Sequence, residues 1–87
     1  MNIIPINQAG GSRTGTLKDI TVEKIIDVLG FKPNCKDDPY KVKNSWGFTV
    51  DGVKCGIWDY KGSHKFGQFS TDGPREIFIK LFGDHAV

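Results

Sequence analysis

Near the middle of the chain, Thr49-Val50-Asp51-Gly52-Val53-Lys54 sets Asp-Gly between two runs of β-forming residues. Asp and Gly both tolerate the positive φ that a two-residue type I′ turn demands, so this stretch predicts a β-hairpin. A turn that tight also dictates the pairing: residue 50 faces 53, 48 faces 55, 46 faces 57 and 44 faces 59. Alternation then sorts the side chains by face. Val42, Trp46, Phe48, Val50, Val53, Cys55 and Ile57 fall on one face, which reads as the core. Asp59 shares that parity at the far end of the hairpin, where it is expected to bond loop backbone near Gly62 and Ser63. Lys41, Lys43, Ser45, Gly47, Thr49, Lys54, Gly56, Trp58 and Tyr60 fall on the other face.

Helices are marked on either side of the hairpin. Thr21 can cap a first helix, Ile20 and Ile25 sit at the two positions of a hydrophobic staple, and Gly30 ends it. Val22, Ile25, Ile26 and Leu29 follow the i, i+3, i+4, i+7 spacing of one buried helical face, opposite Glu23, Lys24 and Asp27. Pro33 and Pro39 make the segment from Phe31 to Tyr40 a loop, with Asp37 and Asp38 solvated in it. A third strand is expected around Lys65 to Ser70, carrying Phe66 and Phe69. Asp72-Gly73-Pro74 then opens a second helix with Asp72 as its cap; Ile77, Phe78, Leu81 and Phe82 pack it on the sheet and Gly83 stops it.

Ahead of all this, residues 8 to 16 hold no apolar side chain larger than alanine and three glycines, too little burial to offset the entropy of ordering. The predicted organisation is therefore a flexible N-terminal arm over residues 1–18 and a single α+β domain over residues 19–87, with a three-stranded antiparallel sheet and two helices in the order αβββα. At 87 residues the core must be small, which argues against a deep substrate cleft. A formal charge of +2 is ordinary for a globular protein and does not by itself name a partner. The opening residues have no basic segment and too short an apolar run for a signal peptide or a membrane span, so a cytoplasmic location is expected and no membrane partner.

Catalytic and metal chemistries find little support. Gly10 and Gly15-Thr16 imitate a phosphate loop in spacing, but the lysine and the strand-to-helix setting are missing. Cys35, Cys55, His64 and His85 have metal-ligand atoms without a Cys-x-x-Cys or His-x-x-x-His pairing, so no metal and no cofactor are expected. In a reducing compartment Cys35 and Cys55 are read as thiols rather than a disulfide. Cys55, Asp59, Ser63 and His64 are the types of a Cys/His or a Ser/His/Asp hydrolase, yet nothing builds an oxyanion hole beside them. No catalytic residue and no small-molecule substrate are assigned, and His64 is expected to face solvent or a partner.

The outer face of the sheet is the expected site. It gathers Trp58 and Tyr60 among Lys41, Lys43 and Lys54, and exposed aromatics on a sheet call for a use. Gly47 and Gly56 face each other there, either leaving a notch beside Trp58 where another backbone or a base could approach, or shielded by Trp58 itself lying over them. Ser63, His64 and Lys65, in the loop that follows, complete the partner-binding set.

The segments Trp46-Gly47-Phe48, Gly56-Ile57-Trp58-Asp59-Tyr60-Lys61-Gly62-Ser63, Phe69-Ser70-Thr71-Asp72-Gly73-Pro74 and Leu81-Phe82-Gly83 resemble small phage and prophage accessory proteins, over residues 21 to 83. Such proteins act by docking on a host enzyme or defence complex, anti-CRISPR proteins being one group. The resemblance implies a non-enzymatic, phage-encoded inhibitor in the host cytoplasm whose partner is a host protein or nucleoprotein complex. The order of three strands followed by a helix is also similar to sheet-type DNA readers such as AP2 and integrase arm-binding domains, and the αβββα order to double-stranded-RNA-binding domains. These imply nucleic acid as the alternative partner, read by the basic and aromatic sheet face. Arginines that read guanine well are absent from that face.

Overall fold

In the computed structural model, which describes residues 1–36 and 40–87, the Asp51-Gly52 turn has φ of 50° and 84° at its two central residues, as a type I′ turn requires. The strands it joins, β3 (Ser45–Val50) and β4 (Val53–Trp58), pair Trp46 with Ile57, Phe48 with Cys55 and Val50 with Val53, the register predicted from the turn. Asp37, Asp38 and Pro39 lie outside the described residues.

Among the described residues the sheet has five strands, not three. Residues 1–18, expected as a flexible arm, supply both of its edges: β1 (Ile3–Pro5) pairs antiparallel with β3, and β2 (Gly15–Leu17) pairs antiparallel with β5 (Phe69–Asp72). The order across the sheet is β1-β3-β4-β5-β2. Neither edge segment carries the length or alternation of an independent strand, and three residues do not form one alone. Each is stabilised by a sheet edge that already exists. Pro5, which has no N–H to give, is tolerated because β1 lies at the border. At the other border the chain's end closes β2: Thr16 and Val87 exchange N–H···O bonds of 3.4 and 2.9 Å, and Lys18 N–H donates to the His85 carbonyl at 2.8 Å.

Between its two edge strands the arm crosses the sheet. Ile6 N–H donates to the Gly47 carbonyl at 2.9 Å, Gly11 N–H to Asp72 Oδ2 at 2.8 Å, and Thr14 N–H to the Thr71 carbonyl at 2.8 Å. Residues 6–14 thus form a strap over the face opposite the helices. The notch expected at Gly47 and Gly56 exists, and the backbone that fills it is the chain's own. A Cβ on Gly47 would overlap the Gln8 carbonyl oxygen, and one on Gly56 would lie 2.7 Å from Gly10 Cα.

Two helices cover the remaining face. In α1 (Val22–Leu29), Thr21 Oγ1 accepts from Lys24 N–H at 3.1 Å, and Gly30 ends the helix at φ 90°. Ile25 and Leu29 are buried, each stabilising by about 1.5–3 kcal/mol relative to exposure. In α2 (Arg75–Phe82) the capping position belongs to Pro74, not Asp72, whose carboxylate faces the strap instead. Phe78 stands edge-on to Phe48 at 6.5 Å between centroids, and Trp46 edge-on to Phe69 at 6.1 Å. With Leu17, Ile20, Val50, Cys55, Ile57 and Phe82 these rings form one core. Val53, assigned to the core by alternation, is exposed because it sits at the hairpin tip, beyond the helices. The third strand starts later than expected: Ser63–Phe66 is a 3-10 turn, and Phe66 faces solvent. Among the described residues, no helix is long and apolar enough to cross a membrane.

Candidate functional site

At the end of the hairpin away from its turn, Tyr40–Asn44 and Asp59–Gly67 meet around one buried carboxylate. Asp59 is 0% exposed. Its Oδ1 accepts from Lys43 N–H at 2.8 Å and Asn44 N–H at 2.9 Å, and its Oδ2 from Asn44 Nδ2 at 2.8 Å. These donors come from the entry to β3, not from the Gly62-Ser63 loop expected from sequence. The loop reaches Asp59 through His64, whose Nδ1 lies 2.7 Å from Oδ2 with only a fifth of the side chain exposed. The contact is a close approach without hydrogen-bond alignment, since Nδ1 finds no well-directed partner. His64 is thus a mostly buried prop of this loop. Ser63 Oγ is engaged as well, accepting from Tyr60 N–H at 3.0 Å.

Backbone bonds lock the rest. Lys61 N–H donates to the Lys41 carbonyl at 2.6 Å, Asp59 N–H to Asn44 at 3.1 Å, Gly67 N–H to His64 at 3.1 Å and Gln68 N–H to Ser63 at 3.1 Å. Lys61 and Gly62 turn the chain with φ of 52° and 76°, so a non-glycine residue is held left-handed at the tip. What this scaffold presents outward is aromatic and basic. Tyr40 is 95% exposed, Phe66 78% and Tyr60 45%, and Lys61 Nζ stands 5.4 Å from the Tyr60 ring centroid. Lys41, Lys43, Lys61 and Lys65 are all exposed. These two segments hold four of the chain's twelve Lys and Arg residues but only one of its ten Asp and Glu residues, the buried Asp59. Within these two segments the exposed charge is therefore positive although the chain's net charge is small.

Six of the ten residues singled out from sequence meet at this end: Lys41, Lys43, Tyr60, Ser63, His64 and Lys65. The other four do not join them. Trp58 is only 9% exposed, because Gly10 lies against it so closely that a Cβ there would stand 2.6 Å from the indole. Gly47 and Gly56 are buried under the same strap. The sheet face expected to be open is covered by residues 6–14, which removes it as a surface for a partner strand or a base in this structure. Lys54 lies toward the hairpin tip, on a cavity of about 230 Å³ lined also by Gly10, Gly11, Cys55 and Asp72. Burial, and then the Asp72 carboxylate, push the Cys55 thiol up to about 11, which makes it a poor nucleophile.

Sequence reasoning missed Tyr40, Lys61 and Phe66, whose signal is an aromatic or basic residue in a loop with no apolar partner nearby in sequence. It also missed Asn34. That side-chain amide donates to the Ile6 and Gly47 carbonyls at 3.0 Å each and accepts from Gly47 N–H at 2.9 Å, tying the start of the strap to β3. Among the described residues no disulfide is formed and no three His, Cys, Asp or Glu side chains group as a metal site. Comparison with known proteins finds no matching family model, no similar curated protein and no similar solved structure.

Proposed function

We propose that this protein is a non-enzymatic binding module, a phage-type inhibitor that docks on a nucleoprotein complex of its host through the end of the hairpin formed by Tyr40–Asn44 and Asp59–Gly67. The observation that carries this reading is the exposure of Tyr40, Tyr60 and Phe66 among four lysines on loops held by buried hydrogen bonds. Exposed rings on a fixed scaffold lose little entropy when a partner covers them, and rings are enriched in interface anchors. Lysines around them favour a partner with a negative surface and speed its capture. The sequence likeness to phage accessory proteins supports the choice of a host complex.

The reading is tested by capture from bacterial lysate, comparing the wild-type chain with Phe66→Ala/Lys61→Glu and with Lys80→Glu, an exposed lysine on α2. A discrete host complex is expected with wild type and Lys80→Glu and is expected to disappear with the double variant. Retention of the complex by the double variant would place the docking surface elsewhere.

A further inference from the structure

Taking that docking surface as given, we infer that what it contacts is single-stranded nucleic acid. Three features favour this occupant over a duplex. Phe66 is 78% exposed, so its ring can meet a flat, unpaired base; a duplex keeps its base faces stacked inside. The rings alternate along the chain with cations: Tyr40-Lys41, Tyr60-Lys61 and Lys65-Phe66 are three adjacent aromatic and lysine pairs. A ring that meets a base then has a cation next to it in sequence for a neighbouring phosphate. Finally, the lysines carry no guanidinium fork and the segments are a 3-10 turn and loops, with neither helix nor ribbon to enter a major groove. Recognition through ring faces and point charges is tolerant of sequence, because every base has a π face.

The geometry implies a short footprint. The molecule measures 32 × 27 × 23 Å, so one end of it spans a few nucleotides. Four lysines on single-stranded phosphates give a log-log salt slope of about −2 to −3.

The test is fluorescence anisotropy of the purified chain with labelled single strands of about 12 nucleotides, in the range that small single-strand binders occupy, and with a duplex of the same sequence. Single strands are expected to bind more tightly than the duplex, with the slope above. Phe66→Ala is expected to weaken binding about 5- to 150-fold with an unchanged thermal melt, since that ring is not in the core. Lys61→Gln should reduce the slope by less than one unit. Equal or tighter duplex binding overturns the inference, as does binding that depends on salt but not on the rings, which is plain polyelectrolyte attraction. No binding at low salt overturns it too. If the Phe66→Ala/Lys61→Glu chain still loses its host complex in that last case, docking stands and the occupant is a protein surface; if it does not, both fall.

Discussion

Alanine at position 47 should dislodge the strap. The added Cβ would overlap the Gln8 carbonyl oxygen and lie 2.7 Å from both the Ile6 carbonyl oxygen and Cys35 Sγ. A sulfur can rotate aside, but the two oxygens belong to backbone, and the Ile6 carbonyl is held by Asn34 Nδ2 at 3.0 Å. Three effects compete. Alanine loses less chain entropy than glycine, which favours the variant by about 0.5–1 kcal/mol. Crowding in a packed site costs about 1–3 kcal/mol. Weakening the Ile6 to Gly47 and Asn34 to Ile6 hydrogen bonds costs about 0.5–1.5 kcal/mol each. The net is a loss of about 2–4 kcal/mol, large beside the roughly 5–10 kcal/mol that a chain of this size commands. It should appear as a fall of roughly 10–25 °C in melting temperature by circular dichroism. Acrylamide should then quench a tryptophan that was shielded, Trp58, while Trp46 at the centre of the core stays protected. Gly11→Ala is the control, because its Cβ would meet only Asp72 Oδ2, at 3.6 Å. Should Gly47→Ala and Gly11→Ala melt together, the strap does not lie in the glycine groove and the account of the covered face fails.

Asp59→Asn replaces an acceptor of three N–H groups by an amide that sets donor against donor at Asn44, and should destabilise by about 2–3 kcal/mol in urea titration. Trp46→Ala should cost about 3–5 kcal/mol and Trp58→Ala about 2–3 kcal/mol, the latter because the strap covers it; a wild-type melt for Trp58→Ala would contradict that cover. For Cys55 the folded-state pKa of about 11 lies above the ordinary 9.0, so the folded chain holds a proton that the unfolded chain releases. That contribution is complete below pH 9 and is lost as pH rises from 9 toward 11, so the urea midpoint should fall over that interval for wild type and fall less for Cys55→Ala.

The parts of the fold legible in sequence are those governed by short-range chemistry. Asp51-Gly52 specifies its turn through φ alone, and the register of β3 and β4 follows from it with no information from elsewhere. Thr21 and Gly30 bound α1 in the same local way. The edge strands are a different case: Ile3-Ile4-Pro5 and Gly15-Thr16-Leu17 become strands only because Phe48–Val50 and Phe69–Thr71 offer them unpaired backbone about fifty residues away. No local rule carries that. One clue was in view. Gly47 and Gly56 face each other across a hairpin, an arrangement that weakens a sheet unless backbone lies upon it, and Gly10 lies within Ala9-Gly10-Gly11-Ser12, where no side chain is large enough to obstruct that approach. The loop end was half legible. Its lysines and Tyr60 were visible on the hairpin, but placing Tyr40 and Phe66 beside them required the pairing of Lys61 with Lys41 and the burial of Asp59, both products of the assembled fold.

The strap reverses the order in which this molecule is made. Residues 1–17 are synthesised before the strands they pair with: β1 has no partner until residue 50 has been added, and β2 none until residue 71. Translation therefore delivers the covering segment before there is anything to cover. The hairpin and β5 can associate through nearer contacts, whereas wrapping the N-terminal segment closes loops of more than forty residues at each edge, a slow event for a chain this short. Until that segment docks, Trp58 and the glycine groove beside it stand uncovered.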